Sequence, residues 1–156
     1  MPHSVSEFIR FYNSPFSYWC NKTNRLVDEK KIDAKYKIQI NASKLISKQL
    51  LTKAQEHEVV LKDKYRISEN LNVVDMSNKD SSNKVFLEEL EKNPDVIFQP
   101  YLYSKDFVGR LDFVKIVDDN LHIIDAKLSS SIKTEHIMQL FVYKEILEIV
   151  SKKQVT

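Results

Sequence analysis

An α/β domain, with a small mixed sheet covered by helices, follows from the order in which two kinds of apolar periodicity succeed one another along this chain. Runs of helix formers occupy residues 42–65 and 134–150, and three β-type runs at 96–103, 107–117 and 121–126 lie between them. With 156 residues and 42% hydrophobic side chains, the chain can bury one core and reads as a single domain. Within it, residues 1–41 form an aromatic-rich helical segment and 42–156 the core.

Taken in order, Phe8, Phe11 and Tyr12 fall at i, i+3 and i+4, the spacing of a short helix opened by Ser4 or Ser6. Ser14-Pro15 breaks or restarts it. Residues 42–65 predict a long helix with Leu45, Ile46, Gln49, Leu50, Lys53 and His57 near one stripe. The polar stretch 66–83 predicts a loop or a ragged strand, and 84–92 a short helix ended by Asn93-Pro94. The three β-type runs follow, the last two joined by a tight turn at Asp118-Asp119-Asn120. Alternation puts Asp112, Val114 and Ile116 on one face of the second run and Leu111, Phe113 and Val117 on the other. In the third run Leu121, Ile123 and Asp125 share a face that Lys127 extends. Residues 129–134 then cap a helix with no internal Gly or Pro.

Composition narrows the possible functions. Average usage of about 7% would give roughly eleven glycines, yet Gly109 is the only one. It heads Gly109-Arg110-Leu111-Asp112 and predicts a structural turn that needs a backbone without a Cβ. Phosphate loops of the Walker, dinucleotide and kinase types need two or more clustered glycines, so none can form here. The single Cys20 excludes an internal disulfide and a four-thiolate iron–sulfur cluster, and suggests a reducing compartment. No segment resembles a signal peptide or membrane span, so a cytoplasmic or nucleoid-associated protein without a membrane partner is expected. A net charge of +2 permits nucleic acid as a partner without arguing strongly for it.

The hairpin carries the chemistry. Asp112 and Asp125 sit near the ends of neighbouring antiparallel strands, and register can bring the two carboxylates side by side. Their repulsion would be relieved by a divalent cation, and oxygen ligands favour Mg²⁺ or Mn²⁺. Lys127 follows on the Asp125 face, able to contact a scissile phosphate and orient a water. An Asp-x-Lys tripeptide alone is uninformative, since Asp33-Ala34-Lys35 is a second copy. Far more specific is the ordered set of Gly-x-x-Asp, an apolar strand ending in Asp-x-Lys, and Gln139-x-x-x-Tyr143 on the next helix.

That set, from 109 to 143, resembles the PD-(D/E)XK nuclease superfamily and specifically its RecB-like exonuclease branch; the wider resemblance covers residues 42–150. It implies a restriction-endonuclease-like core and Mg²⁺- or Mn²⁺-dependent hydrolysis of DNA with a 5′-phosphate product. Asp112 and Asp125 would be metal ligands, the Ala126 carbonyl a further ligand, and Lys127 the catalytic lysine. Gln139 and Tyr143 would help hold the DNA strand and the geometry of the site. An upstream helix completes the metal shell in that branch; here it matches Ala54-Gln55-Glu56-His57-Glu58, with His57 the first choice of ligand and Glu58 the second. DNA, as single strands or ends, is the implied partner, and a fused or separate helicase is compatible with it. Members with an iron–sulfur cluster use four cysteines, so no cluster is expected.

The branch normally adds a strand after the Gln-x-x-x-Tyr helix. Only 151–156 remain here, so the sheet is expected to lack its final strand. Self-association through the open edge, or membership of a longer polypeptide, would follow. Plainer readings stand beside several of these residues: a satisfied core histidine for His57, a solvated helix charge for Glu58, and a packed Tyr with a bonded Gln for 143 and 139. The N-terminal aromatics can stack bases, but interior packing is the expectation. Lysines at 30, 31, 35, 37, 44, 48 and 53 track phosphates or simply solvate the surface. The rival function is a catalytically inactive nucleic-acid-binding or scaffolding module on the same fold.

Overall fold

The computed structural model describes residues 2–38, 44–79, 82–129 and 131–156, those at 44–50 as backbone alone. After a two-residue strand β1 (His3–Ser4), helices α1 (Val5–Asn13) and α2 (Pro15–Asp28) meet at Ser14. Ser4 Oγ accepts the Glu7 N–H at 3.1 Å, and Ser14 Oγ accepts the Ser17 N–H at 3.1 Å, so each helix opens on a serine cap. Pro15 takes the first helical position, where a missing N–H is not needed. A 3₁₀ turn (Ala34–Tyr36) leads towards α3 (Lys44–Asp63), which runs on into a π-helical turn (Lys64–Ser68). The expected start of this helix at Ala42, and its stripe at Leu45, Ile46, Gln49 and Leu50, lie outside the described residues and side chains. A short strand, β2 (Val73–Asp75), emerges from the polar stretch, and α4 (Asn83–Leu90) follows with Ser82 as its cap.

Strands β3 (Val96–Phe98), β4 (Tyr101–Tyr103), β5 (Phe107–Arg110), β6 (Phe113–Val117) and β7 (Asn120–Ile124) precede the last helix, α5 (Thr134–Ser151). The first two β-type runs are therefore each divided. Pro100 has no N–H to give a ladder, and Gln99 before it adopts φ of 49°. The partner run bends in step. The Gln99 N–H donates to the Asp112 carbonyl at 2.9 Å, and the Leu111 N–H to the Pro100 carbonyl at 3.0 Å. Beyond the bend, β4 and β5 leave for a second sheet of order β1-β5-β4, while the main sheet runs β2-β3-β6-β7. Leu111, expected beside Phe113, is turned by this bend into the cluster of Val114.

The Asp118-Asp119 turn has φ of 49° and 66°, the double left-handed pattern of a type I′ hairpin. The expectation of a three-stranded sheet is corrected, whereas after α5 the described residues form no further strand and only a single bridge, Leu121 with Val155. β2 adds a strand parallel to β3, and the chain beyond α5 returns alongside β7. There the Leu121 N–H donates to the Gln154 carbonyl at 3.0 Å and the Thr156 N–H to the Leu121 carbonyl at 2.9 Å. Val155 is fully buried by this pairing.

Both faces of the main sheet are covered. On one, Val142, Tyr143, Ile146 and Leu147 of α5 pack against Ile97, Val114 and Leu121. On the other, Val96, Phe98 and Phe113 meet Leu61 and Tyr65. Each fully buried Val, Leu, Ile or Phe contributes about 1.5–3 kcal/mol. Val5 of α1 belongs to the α5 cluster, so the N-terminal segment is built into the same core and covers part of the second side of α5. Ile137 and Phe141 stay exposed on that helix. The aromatics expected inside are largely outside: Phe16 is 74% exposed, and Phe11, Tyr12 and Trp19 stand about half out of the surface. Among the described residues no helix is long and apolar enough to cross a membrane.

Candidate active site

The hairpin register pairs Phe113 with Ile124, and one step further along the same ladder sets Asp112 opposite Asp125. The bend at 111–112 ends β6, and Asp125 leaves β7, so both acids stand where the strands stop pairing. The Ala126 N–H donates to Asp112 Oδ2 at 2.7 Å. Lys127 Nζ donates to Asp125 Oδ1 at 2.9 Å and lies 2.8 Å from Oδ2 as an ion pair. Asp125 Oδ2 is thus buried, close to a cation, and without a hydrogen-bond donor among the described residues.

Gln139 and Tyr143, one turn apart on α5, reach the cluster from the helix side. Gln139 Nε2 donates to Asp125 Oδ1 at 3.4 Å and to the Tyr143 hydroxyl at 3.3 Å, and that hydroxyl donates to the Arg110 carbonyl at 2.8 Å. Tyr143 is 4% exposed, so it braces the strand that carries Asp112 and is not available to touch a DNA strand. Burial pushes the hydroxyl up to about 12, which keeps it a neutral donor.

Glu58 comes from the opposite side. On α3 it shares a face with Leu61, Lys62 and Tyr65, at i, i+3, i+4 and i+7, and this face packs on the sheet. Its Oε2 accepts the Gln99 side-chain amide at 2.7 Å. His57, the first choice as ligand, lies about 100° around the helix and makes no bond to the cluster among the described residues. Glu58 is the one that converges.

Charge follows from this geometry. Burial, then the Asp125 carboxylate, then Glu58 push Asp112 from its ordinary 3.8 up to about 7, only partly opposed by the Ala126 N–H and Lys127. Among the described residues no three His, Cys, Asp or Glu side chains close into a ready metal cage. The donor set nonetheless fits a hard divalent cation. It is all oxygen, one buried carboxylate oxygen lacks a donor, and the repulsion is of the kind a cation removes.

Gly109 does not make the predicted turn. It lies within β5 opposite Leu102, and no glycine has positive φ. The absence of a Cβ serves close packing: a methyl there would sit 2.7 Å from Tyr143 Cε1 and 2.9 Å from Val5 Cγ2. Gln99 was missed by sequence reasoning. Its backbone N–H holds the Asp112 carbonyl while its side chain holds Glu58, linking strand and helix. The available signal was Pro100, which argued against one continuous strand through 96–103.

Compared with family models, curated proteins and solved structures, the chain matches none.

Proposed function

We propose that this chain is a Mg²⁺- or Mn²⁺-dependent nuclease of the PD-(D/E)XK type, hydrolysing DNA phosphodiester bonds and acting as a RecB-like exonuclease on single strands or ends. The observation that carries the reading is the pairing of Asp112 with Asp125 across neighbouring strands, with Lys127 and Glu58 converging on them. Support also comes from the antiparallel set β3-β6-β7 of the main sheet, which α3 precedes and α5 follows in the chain, although β2, α4, β4 and β5 intervene. The resemblance implies a Gly-x-x-Asp strand, an Asp-x-Lys strand and a Gln-x-x-x-Tyr helix in succession, and β5-β6, β7 and α5 follow one another in that sequence.

Asp112, Asp125 and the Ala126 carbonyl would hold the cation, with Glu58 the next oxygen donor. Its chemistry when bound is to polarise a phosphoryl oxygen and make water nucleophilic. The chain's own residues supply the rest. Lys127 stands beside Asp125 and, exchanging that contact for a phosphate oxygen, would steady the charge that develops on phosphorus. Gln139 fixes the Asp125 carboxylate through Oδ1, and Tyr143 fixes Arg110, two residues before Asp112. Hydrolysis adds water across the P–O3′ bond. The water oxygen stays on phosphorus as a 5′-phosphate, and a proton reaches the departing 3′ oxygen.

A second reading, a nucleic-acid-binding or scaffolding module without turnover, is favoured by one observation. Both acids already have protein partners, and they close into no cage. Product release from single-stranded or nicked DNA with Mg²⁺ or Mn²⁺ separates the two. The nuclease reading expects nucleotides bearing 5′-phosphates from the wild type, and turnover lower by about 10²-fold or more in Lys127→Ala at nearly unchanged DNA affinity. No turnover by the wild type over a range of metals and substrates would hand the site to the second reading.

A further inference from the structure

The N-terminal helices carry a surface that the acid cluster does not use. An apolar groove of about 320 Å³ opens between α1, α2 and β5, in the size range of sites that take small organic groups. Its rings are arranged in two edge-on pairs: Phe8 with Phe107 at 5.5 Å, and Phe11 with Tyr18 at 5.6 Å between centroids. Phe11 is 50% exposed, so one ring of the groove faces outwards unsatisfied. Next to the groove, sharing Glu7 and Tyr18 with it, lies a smaller pocket of about 60 Å³ lined by Arg10, Lys22 and Arg25. Arg25 is bound to Glu7 at 2.7 Å, whereas Arg10 and Lys22 have no acidic partner among the described residues.

We infer that this groove and pocket form a docking track for single-stranded DNA, a base entering against Phe11 and its phosphate resting on Arg10 and Lys22. The inference rests on the nuclease reading for the identity of the strand as substrate. Charge supports it: residues 2–38 hold seven Lys and Arg against four Asp and Glu, a surplus of three, while the whole chain has a surplus of only two. Rings beside cations that lack an acidic partner suit a polymer that alternates π-faces with anions, Lys22 itself lying 5.6 Å from the centre of the Tyr18 ring, and base–aromatic stacking tolerates any sequence. Position supports it too. Phe107 in the groove and Asp112 in the cluster lie five residues apart on one stretch of chain, at most about 18 Å. A strand held at the groove is therefore within short reach of the acids.

The test is fluorescence anisotropy of an end-labelled thymidine oligonucleotide of about twelve residues, in chelator and in the Lys127→Ala background, so that binding is read without turnover. Phe11→Ala should weaken binding by on the order of tenfold, and Phe11→Trp should restore it. Removing both Arg10 and Lys22 as alanines should lower the slope of log affinity against log salt by about 0.7, the value for one phosphate contact on a single strand. Unchanged melting temperatures would confirm that these exposed changes leave the fold intact. Equal oligonucleotide affinity in all variants would overturn the track while leaving the acid cluster to be judged by hydrolysis. Absence of oligonucleotide binding together with a dimer that Phe11→Ala dissociates would overturn it in favour of a contact between copies of this chain.

Discussion

Replacing Asp112 by asparagine removes one charge from the cluster and keeps an oxygen able to accept the Ala126 N–H now held at 2.7 Å. The carboxyl titrates near its ordinary 3.8 when unfolded and at about 7 when folded, so the native state binds more protons between those values. Stability contributed by the protonated form is therefore present below about pH 4 and is lost as pH rises towards 7. At about 1.4 kcal/mol per pH unit this sets a ceiling near 4 kcal/mol. Asp125 shares the repulsion and the new amide must itself be buried, so about 2 kcal/mol is the expected gain from Asp112→Asn above pH 7. Urea unfolding in chelator, run as a series from pH 4.5 to pH 8, reads this directly. With a slope of about 2 kcal/mol per molar, the variant's midpoint should move about 1 M above the wild type at pH 8 and converge on it at the acid end. A difference independent of pH, or a less stable variant at pH 8, would refute the assignment of Asp112 as a buried carboxyl held against its neighbours.

Two further outcomes test the scaffold around the site. Gly109→Ala places a methyl 2.7 Å from the Tyr143 ring and 2.9 Å from Val5, so it should cost about 1–3 kcal/mol by urea unfolding; wild-type stability would mean the contact is not close. Val155→Asp puts a charge where the native side chain is fully buried, and should cost at least about 2 kcal/mol. It should also speed hydrogen exchange at the Leu121 and Ile123 amides, which donate to the Gln154 and Thr156 carbonyls, and unchanged exchange there would detach the tail from β7.

The parts of this architecture legible in the sequence are those set by local physics. Ser4 or Ser6 and Ser14-Pro15 marked the region of the two helix starts, found at 5 and 15, and the tight turn at 118–120 with alternation around it gave the hairpin, leaving to register the placing of Asp112 opposite Asp125. The parts that were not legible depend on what packs from elsewhere. The joint bend at Gln99-Pro100 and Leu111-Asp112 breaks the period of two, which is why Leu111 appeared on the wrong face. Pairing of the tail with β7 depends on long-range hydrogen bonds that no periodicity in so few residues reveals. Choosing between His57 and Glu58 required the azimuth at which α3 lies on the sheet, and Leu61 and Tyr65 set that azimuth. The exposed aromatics of α1 and α2 have helical spacing like core residues, and only the position of β5 and α5 shows which rings are left outside.

Calorimetric titration with Mn²⁺ tests the claim that Asp112 and Asp125 form a cation-holding pair served by a lysine that is not a ligand. Wild type should bind the ion, Asp112→Asn should lose at least about tenfold in affinity, and Lys127→Ala should bind as tightly or more so. In that last variant the ammonium now 2.8 Å from Asp125 Oδ2 no longer competes for the carboxylate. Equal affinity in wild type and Asp112→Asn would contradict it.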